Sequence, residues 1–274
     1  MKELGKPFKS IASYNNAMSK NIDDKLFFAK FLPEHPMLIV DFGCADGTLL
    51  NALFEHFIDT TSFNKYIGYD ISSEMINLAK AKFNHYSKNV IFTDKWDEVV
   101  EQLKSFTEKK VLILSSVIHE IYSYCTEHEI NEFWNRVLDS GFDYICVRDM
   151  MVSKDVNHKQ KINVYKFMEN CIPQFSDRRK YFQSFVDKWG SIIYNENFIH
   201  YLLKYRWIIN WDRELNENYL PIYVEDFLKI FKDKYNITYL ERFRVPFLEE
   251  CWSKDFGIKI DDYTHIKCIF EIKK

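Results

Sequence analysis

Leu38-Ile39-Val40-Asp41-Phe42-Gly43-Cys44-Ala45-Asp46-Gly47 is an apolar run that ends in an acid and breaks into small residues, and Thr48-Leu49-Leu50 follows it. The apolar run predicts a buried strand, the small residues a tight loop, and the leucines the first turn of a helix. Seven glycines serve 274 residues, and two of them, Gly43 and Gly47, fall within these few positions. Glycine is worth its entropic cost where a backbone turns sharply or lies close to a ligand. A strand, a glycine loop and a helix N-terminus together imply a nucleotide-type cradle.

The same rhythm extends outward. Short strands are expected at 37–42, 66–69, 89–93, 111–115 and 142–147, closed by Asp41-Phe42, Asp70, Asp94, Ser116 and Arg148-Asp149. Helices are expected between them, at about 48–58, from 73, at 96–106 and at 127–139. Residues 10–32 read as a leading helix with Phe27, Phe28 and Phe31 on one face. Five alternations of strand and helix imply a parallel sheet with helices on both faces. The rhythm then stops. Residues 152–220 are helical or irregular and rich in aromatics, a helix returns at about 224–234, and 236–243 and 265–272 alternate like two strands. The chain thus divides into an N-terminal segment 1–36, a core 37–151, an insertion 152–220 and a closing segment 221–274.

With this order of elements the chain resembles the class I S-adenosylmethionine-dependent methyltransferases. Their first loop reads D/E-x-G-x-G-x-G, and here it stands as Asp41-Phe42-Gly43-Cys44-Ala45-Asp46-Gly47, with Ala45 in place of the middle glycine. The resemblance implies a doubly wound, seven-stranded Rossmann-like sheet ending in an antiparallel hairpin, with a helical insertion after the fifth strand. It implies S-adenosyl-L-methionine as the cofactor, held by Asp41, Gly43, Cys44, Ala45 and Gly47. It also implies that Asp70 bonds the ribose hydroxyls, that Ile71 and Met75 pack on adenine, and that Asp94 meets the adenine amine. It further implies that Ser116 lies in the loop beside the transferred methyl and that Tyr14 of the leading helix lies over the cofactor. Asp94 also reads as an N-cap of the next helix. The chemistry agrees independently, because ligands of such sheets bind beyond the carboxyl ends of the strands. A carboxylate such as Asp70 can accept from both hydroxyls of a diol. Asp46 would repel a pyrophosphate, and Thr48 stands where a dinucleotide fingerprint wants glycine.

His119 and Glu120 follow the fourth strand, where His119 could take a proton from the acceptor, order the loop, or help to bind the methionine end. Asp149 is a candidate catalytic residue beside them, and Arg148 and Tyr122 are candidate substrate contacts. Residues 154–213 hold eleven basic side chains against six acidic ones, in a chain of net charge −3. Tyr201, Tyr205, Arg206, Trp211 and Arg213 are the candidate substrate contacts of this lid. Its basic and aromatic character suits a packed cap over a small-molecule acceptor, or an RNA strand. A small-molecule acceptor methylated at O or N is the first expectation, RNA methylation through 154–213 the second, and a non-catalytic binding protein of the same fold the third. The six cysteines show neither a disulfide framework nor metal-ligand spacing, so no metal is expected. The sequence offers neither a secretory signal nor a membrane-length apolar run, and a cytoplasmic protein is expected.

Overall fold

Met37–Phe42 forms β1, buried at every residue, as an uninterrupted apolar run requires of a central parallel strand. The computed structural model describes residues 22–33, 36–57, 64–83, 89–158, 163, 167–168 and 179–274. The other strands are β2 (Lys65–Tyr69), β3 (Val90–Thr93), β4 (Lys109–Ser115), β5 (Tyr144–Met150), β6 (Tyr235–Phe243) and β7 (His265–Ile272). They form one sheet in the order β3-β2-β1-β4-β5-β7-β6. β1 to β5 run parallel, and β7 lies antiparallel between β5 and β6.

The helices are α1 (Ile22–Lys25), α2 (Thr48–His56), α3 (Ser73–Lys82), α4 (Trp96–Ser105), α5 (Ile118–Tyr124), α6 (Glu127–Asp139), α7 (Arg179–Trp189), α8 (Asn195–Lys204), α9 (Trp211–Glu214), α10 (Val224–Phe231) and α11 (Pro246–Phe256). Strand side chains alternate between the two faces. Leu38, Val40 and Leu112 meet Trp96, Phe133, Trp134, Phe227 and Phe231 of α4, α6 and α10 on one face. Met37, Ile39 and Val111 meet Phe28 and the apolar sides of α2 and α3 on the other. A third core, built on Phe182, Phe185, Phe198, Leu202 and Trp211, belongs to the lid, and Trp252 and Ile260 join it from beyond β6.

Several expectations change. β5 runs on to Met150, because β7 pairs with it as far as Met150 opposite His265. Arg148 and Asp149 therefore lie within the strand rather than after it. The last two strands do pair antiparallel, but α11 separates them in sequence, so the connection is no tight hairpin. Pro246 at the first turn of α11 and Gly257 (φ +65°) at its end are ordinary start and stop signals that the strand pattern overshadowed. The leading helix does not continue to residue 32. After α1 the chain turns, so that Phe28 enters the core while Phe27 and Phe31 meet Tyr239 at 5.8 and 4.7 Å. Residues 10–21 of that expectation lie outside the described residues.

Candidate active site

The loop from β1 to α2 is stitched to the end of β2. Gly43 and Cys44 donate their N–H groups to the Tyr69 carbonyl at 2.8 and 3.0 Å. Asp70 accepts from Ala45 N–H through Oδ2 and from Ser72 N–H through Oδ1, both at 2.9 Å. Gly43 and Gly47 both have φ +76°, the left-handed region that glycine enters without strain. Ala45 has φ +47°, so the alanine in the middle position carries about 1–2 kcal/mol of backbone strain. Ser116, at φ +57°, strains the loop after β4 in the same way. Cys44 is buried in this loop, and burial pushes its thiol well up.

Asp46 plays a different part from the one expected. Its carboxylate turns back to the Thr48 hydroxyl at 2.7 Å and to Lys82 of α3 at 2.8 Å. Burial opposes ionisation, but these contacts hold its carboxyl below the usual range. With Lys82 neutralising it, Asp46 does not supply repulsion against a pyrophosphate, and discrimination has to come from the other acids.

A small cleft borders this loop, lined among others by Ile22, Lys25, Asp41, Ala45 and Ser115. Asp41 is 2% exposed, and its Oδ2 has no hydrogen-bond partner; the same is true of the Ser115 hydroxyl. Burial pushes the Asp41 carboxyl up to about 7, against the pull of Lys25 and with the help of Asp70. A buried acceptor without a donor is costly, which marks Asp41 as a site prepared for a cationic or N–H-bearing ligand. Each Asp70 oxygen accepts one backbone N–H and keeps lone-pair capacity for a diol hydroxyl. Burial raises the Asp70 carboxyl, while its two N–H donors and the Arg213 charge oppose that. These donors and acceptors fit S-adenosylmethionine, whose ribose, ammonium and sulfonium all favour carboxylate neighbours. Ile71 and Met75 are half-buried beyond β2, and Asp94 is exposed after β3. The cap of α4 falls on Lys95 with no side-chain bond, so Asp94 does not act as that cap.

The loop after β4 is held by Asp149. Its carboxylate accepts Ile118 N–H at 2.7 Å and Met150 N–H at 2.8 Å, and stands 2.8 Å from His119 Nδ1. Asp149 is fully buried, so its acceptor capacity is used on the loop and the histidine. Burial favours neutral His119, but the charge and hydrogen bond of Asp149 outweigh it, with Glu217 and Glu120 adding, and the pKa rises to about 9. The pairing with Asp149 favours the protonated ring, which has no lone pair for an acceptor's proton.

From Glu120 a chain of charges runs into the lid. Arg213 bonds Glu120 at 3.0 Å and Glu217 at 2.7 Å, and Tyr124 donates to Glu217 at 3.1 Å. Lys204, wholly buried, donates to the carbonyls of Glu214 and Glu217, and Tyr219 donates to the Glu214 carboxylate. Burial takes Lys204 down to about 7 against the attraction of Glu214 and Glu217.

The structure brings Asp41, Gly43, Cys44, Ala45, Gly47 and Asp70 together, joins His119 to Asp149, and joins Glu120 to Arg213. Arg148 turns to Asp24 at 2.8 and 2.7 Å and to the Ser116 hydroxyl at 3.2 Å. The Tyr122 hydroxyl accepts from Trp134 at 3.0 Å, within the sheet core. Tyr201, Tyr205 and Trp211 are buried in the lid core, and Tyr205 and Arg206 both bond Asp255, at 2.7 and 2.5 Å. Tyr14 lies outside the described residues. Sequence reasoning passed over Lys25, Asp24 and Glu217. Lys25 and Asp24 precede the motif region and carry no pattern of their own. Glu217 lies just past the basic stretch, where its spacing of four from Arg213 was a helix-pair signal.

A glycine loop tied to a strand-end carboxylate, beside a cleft with an orphaned acid, is an arrangement that fits a nucleoside on a doubly wound sheet. Residues 40–146 match the family model described as a methyltransferase domain. Among solved structures, an S-adenosylmethionine-dependent methyltransferase from Mesorhizobium loti is 14% identical, over 91% of this chain and 99% of that one, with a TM-score of 0.50. A magnesium protoporphyrin IX methyltransferase from Synechocystis PCC 6803, with S-adenosylmethionine bound, is 11% identical over 98% and 87%, with a TM-score of 0.48. No protein of curated function matches the chain. The chain thus carries a methyltransferase domain, and its fold is that of S-adenosylmethionine-dependent methyltransferases.

Proposed function

We propose that this enzyme methylates an O or N atom of a small-molecule acceptor. The observation that supports the reading is that Arg213 and Lys204 are committed to buried partners, while Arg206 and Lys154 pair with carboxylates at the surface. Arg213 is tied to Glu120 and Glu217, Arg206 to Asp255, Lys154 to Asp226, and Lys204 to buried carbonyls. Binding along a phosphate backbone needs cations free to meet it. Glu214 and Glu217, directly after the basic stretch, offset it further. In this reading residues 37–151 and 221–274 carry the cofactor, 1–36 covers it and 152–220 selects the acceptor. Among the described residues no helix is long and apolar enough to cross a membrane. A reducing, cytoplasmic setting suits the free thiols Cys44, Cys125, Cys146, Cys251 and Cys268.

The bound cofactor supplies an electrophilic methyl on a sulfonium. Asp70 would hold the ribose hydroxyls and Asp41 the ammonium, and both carboxylates would offset the cofactor's positive charge. Asp149 fixes the loop after β4, and the Glu120–Arg213 pair closes the lid against it. Catalysis then comes mainly from holding donor and acceptor in line. Because Asp149 favours the protonated form of His119, the reading favours an acceptor that needs no base before transfer, such as a neutral amine. Incubation with methyl-labelled S-adenosylmethionine, a panel of amines, phenols and carboxylic acids, and total RNA tests this. Label is expected in a small molecule. Label in RNA, with salt-sensitive RNA retention, would overturn the reading.

A further inference from the structure

Arg148 of β5 is buried and makes contacts in two directions. On one side its Nη1 donates to the Ser116 hydroxyl at 3.2 Å, while its carbonyl accepts Ser116 N–H at 2.8 Å. On the other side its Nε and Nη2 both donate to Asp24 Oδ2, at 2.8 and 2.7 Å. The second Asp24 oxygen meets Lys267 of β7 at 2.5 Å, so both oxygens are held. Burial opposes ionisation of Asp24, but Arg148 and Lys267 outweigh it and keep the carboxyl below its usual range.

Ser116 needs such a hold. At φ +57° it keeps a backbone state that a residue with a side chain retains only where its surroundings impose it. The next residue presses on the loop after β1: a Cβ added to Gly43 would lie 2.8 Å from Val117 Cγ2 and 3.3 Å from Val117 Cβ. Ser115, the residue before, lines the cleft together with Asp41. Contacts therefore run without a gap from Asp24 on α1, through Arg148 and Ser116-Val117, to Gly43.

We propose that Asp24 is a positioning residue for methyl transfer: clamped on Arg148, it holds Ser116 and Val117 against Gly43 and so sets the two loops that receive the cofactor. The inference rests on those loops holding S-adenosylmethionine, and it is independent of which acceptor is methylated. The short helix α1 then takes part in assembling the site, although Asp24 itself touches neither loop. With a neutral group in place of the carboxylate, the buried guanidinium loses the charge it pairs with, and the turn at Ser116 loses the fixed donor that holds it.

Calorimetric titration of the whole protein with S-adenosylmethionine, together with amide hydrogen exchange of the unliganded protein, tests the assignment. Asp24→Asn is expected to bind S-adenosylmethionine about 5- to 20-fold more weakly, the size of coupling usual within one hydrogen-bond network. Its Ser116 amide is expected to exchange about 10-fold faster, while the amides of β4 stay as protected as in wild type. Asp24→Glu keeps the charge and is expected to lose less affinity than Asp24→Asn. Arg148→Lys keeps a charge beside Asp24 without the planar fork that reaches Asp24 and Ser116 at once, and is expected to weaken binding as Asp24→Asn does. Ser116→Gly frees the left-handed turn of strain. In that background Asp24→Asn is expected to cost less than about twofold in affinity. An equal loss from Asp24→Asn with and without Ser116→Gly would overturn the proposal, because Asp24 would then reach the cofactor by another route. Unchanged affinity in Asp24→Asn or in Arg148→Lys would also overturn it and leave Asp24 as a support of α1 alone. Wild-type protein that binds no S-adenosylmethionine would overturn the cofactor reading instead, and the exchange of Ser116, which needs no ligand, tells the two failures apart.

Discussion

Replacing His119 by glutamine separates the charge of the imidazolium from the shape of the loop. The ring is 6% exposed, packs edge-on to Tyr219 with centroids 5.3 Å apart, and bonds Asp149 through Nδ1 at 2.8 Å. Its pKa rises to about 9 in the folded protein, from an unfolded value of about 6.5. That difference corresponds to roughly 3 kcal/mol of stability contributed by the protonated ring. Because the folded pKa lies above the unfolded one, the contribution is complete below pH 6.5 and is lost as pH rises through about 9. Other buried groups titrate in the same window, including Lys25 at about 8 and Lys204 at about 7. The informative quantity is therefore the difference between wild type and His119→Gln, in which their contributions largely cancel. Urea unfolding at several pH values from 6 to 9.5 should show this difference shrinking by about 3 kcal/mol across the window. Ring nitrogen NMR of the folded protein should find His119 protonated at pH 7. A difference flat with pH, or a midpoint below 7, would refute the reading of His119 as an Asp149-held cation and would restore it as a candidate base.

Asp70→Asn turns one acceptor oxygen into an NH₂ group that faces the N–H of Ala45 or Ser72. Cofactor binding should weaken about 10- to 100-fold by calorimetry, the loss of one or two hydrogen bonds to a charged group. Gly68→Ala places a Cβ 2.5 Å from Phe92 Cδ1 and 2.9 Å from Cys44 Sγ. Overpacking there should cost about 1–3 kcal/mol in chemical unfolding and should loosen the cofactor loop through Cys44. Arg213→Met leaves Glu120 and Glu217 without their shared partner. Thermal unfolding should fall by an amount equivalent to about 3–5 kcal/mol, and an unchanged melting curve would show the lid to be held by its apolar core alone.

The fold was legible where local pattern and burial agree. β1 falls where its apolar run places it, and β7 where the alternation over 265–272 places it. The glycine loop, Asp70 and the acid at the end of β1 were legible for a similar reason: strand ends and small residues leave local marks. β5 was read short because its last residues, Arg148 and Asp149, are polar. Only pairing with β7, distant in sequence, makes them strand. Helix α5 was missed because seven residues give too few turns to establish a period.

The sequence alone determined the order of the elements, the acids at the strand ends and hence the class of cofactor, because each depends on residues within a few positions of one another. Tertiary structure alone decided the state of the charges. It put Lys82 on Asp46 and so removed the repulsion that residue seemed to offer. It set Asp149 against His119 and made a candidate base into a cation. It carried Asp24 to Arg148 and Lys267, and with it Lys25 to the cleft beside Asp41. Charges act through space, and the energies of these pairs depend on burial and distances of a few ångströms between residues that stand 30 to 243 positions apart in the chain.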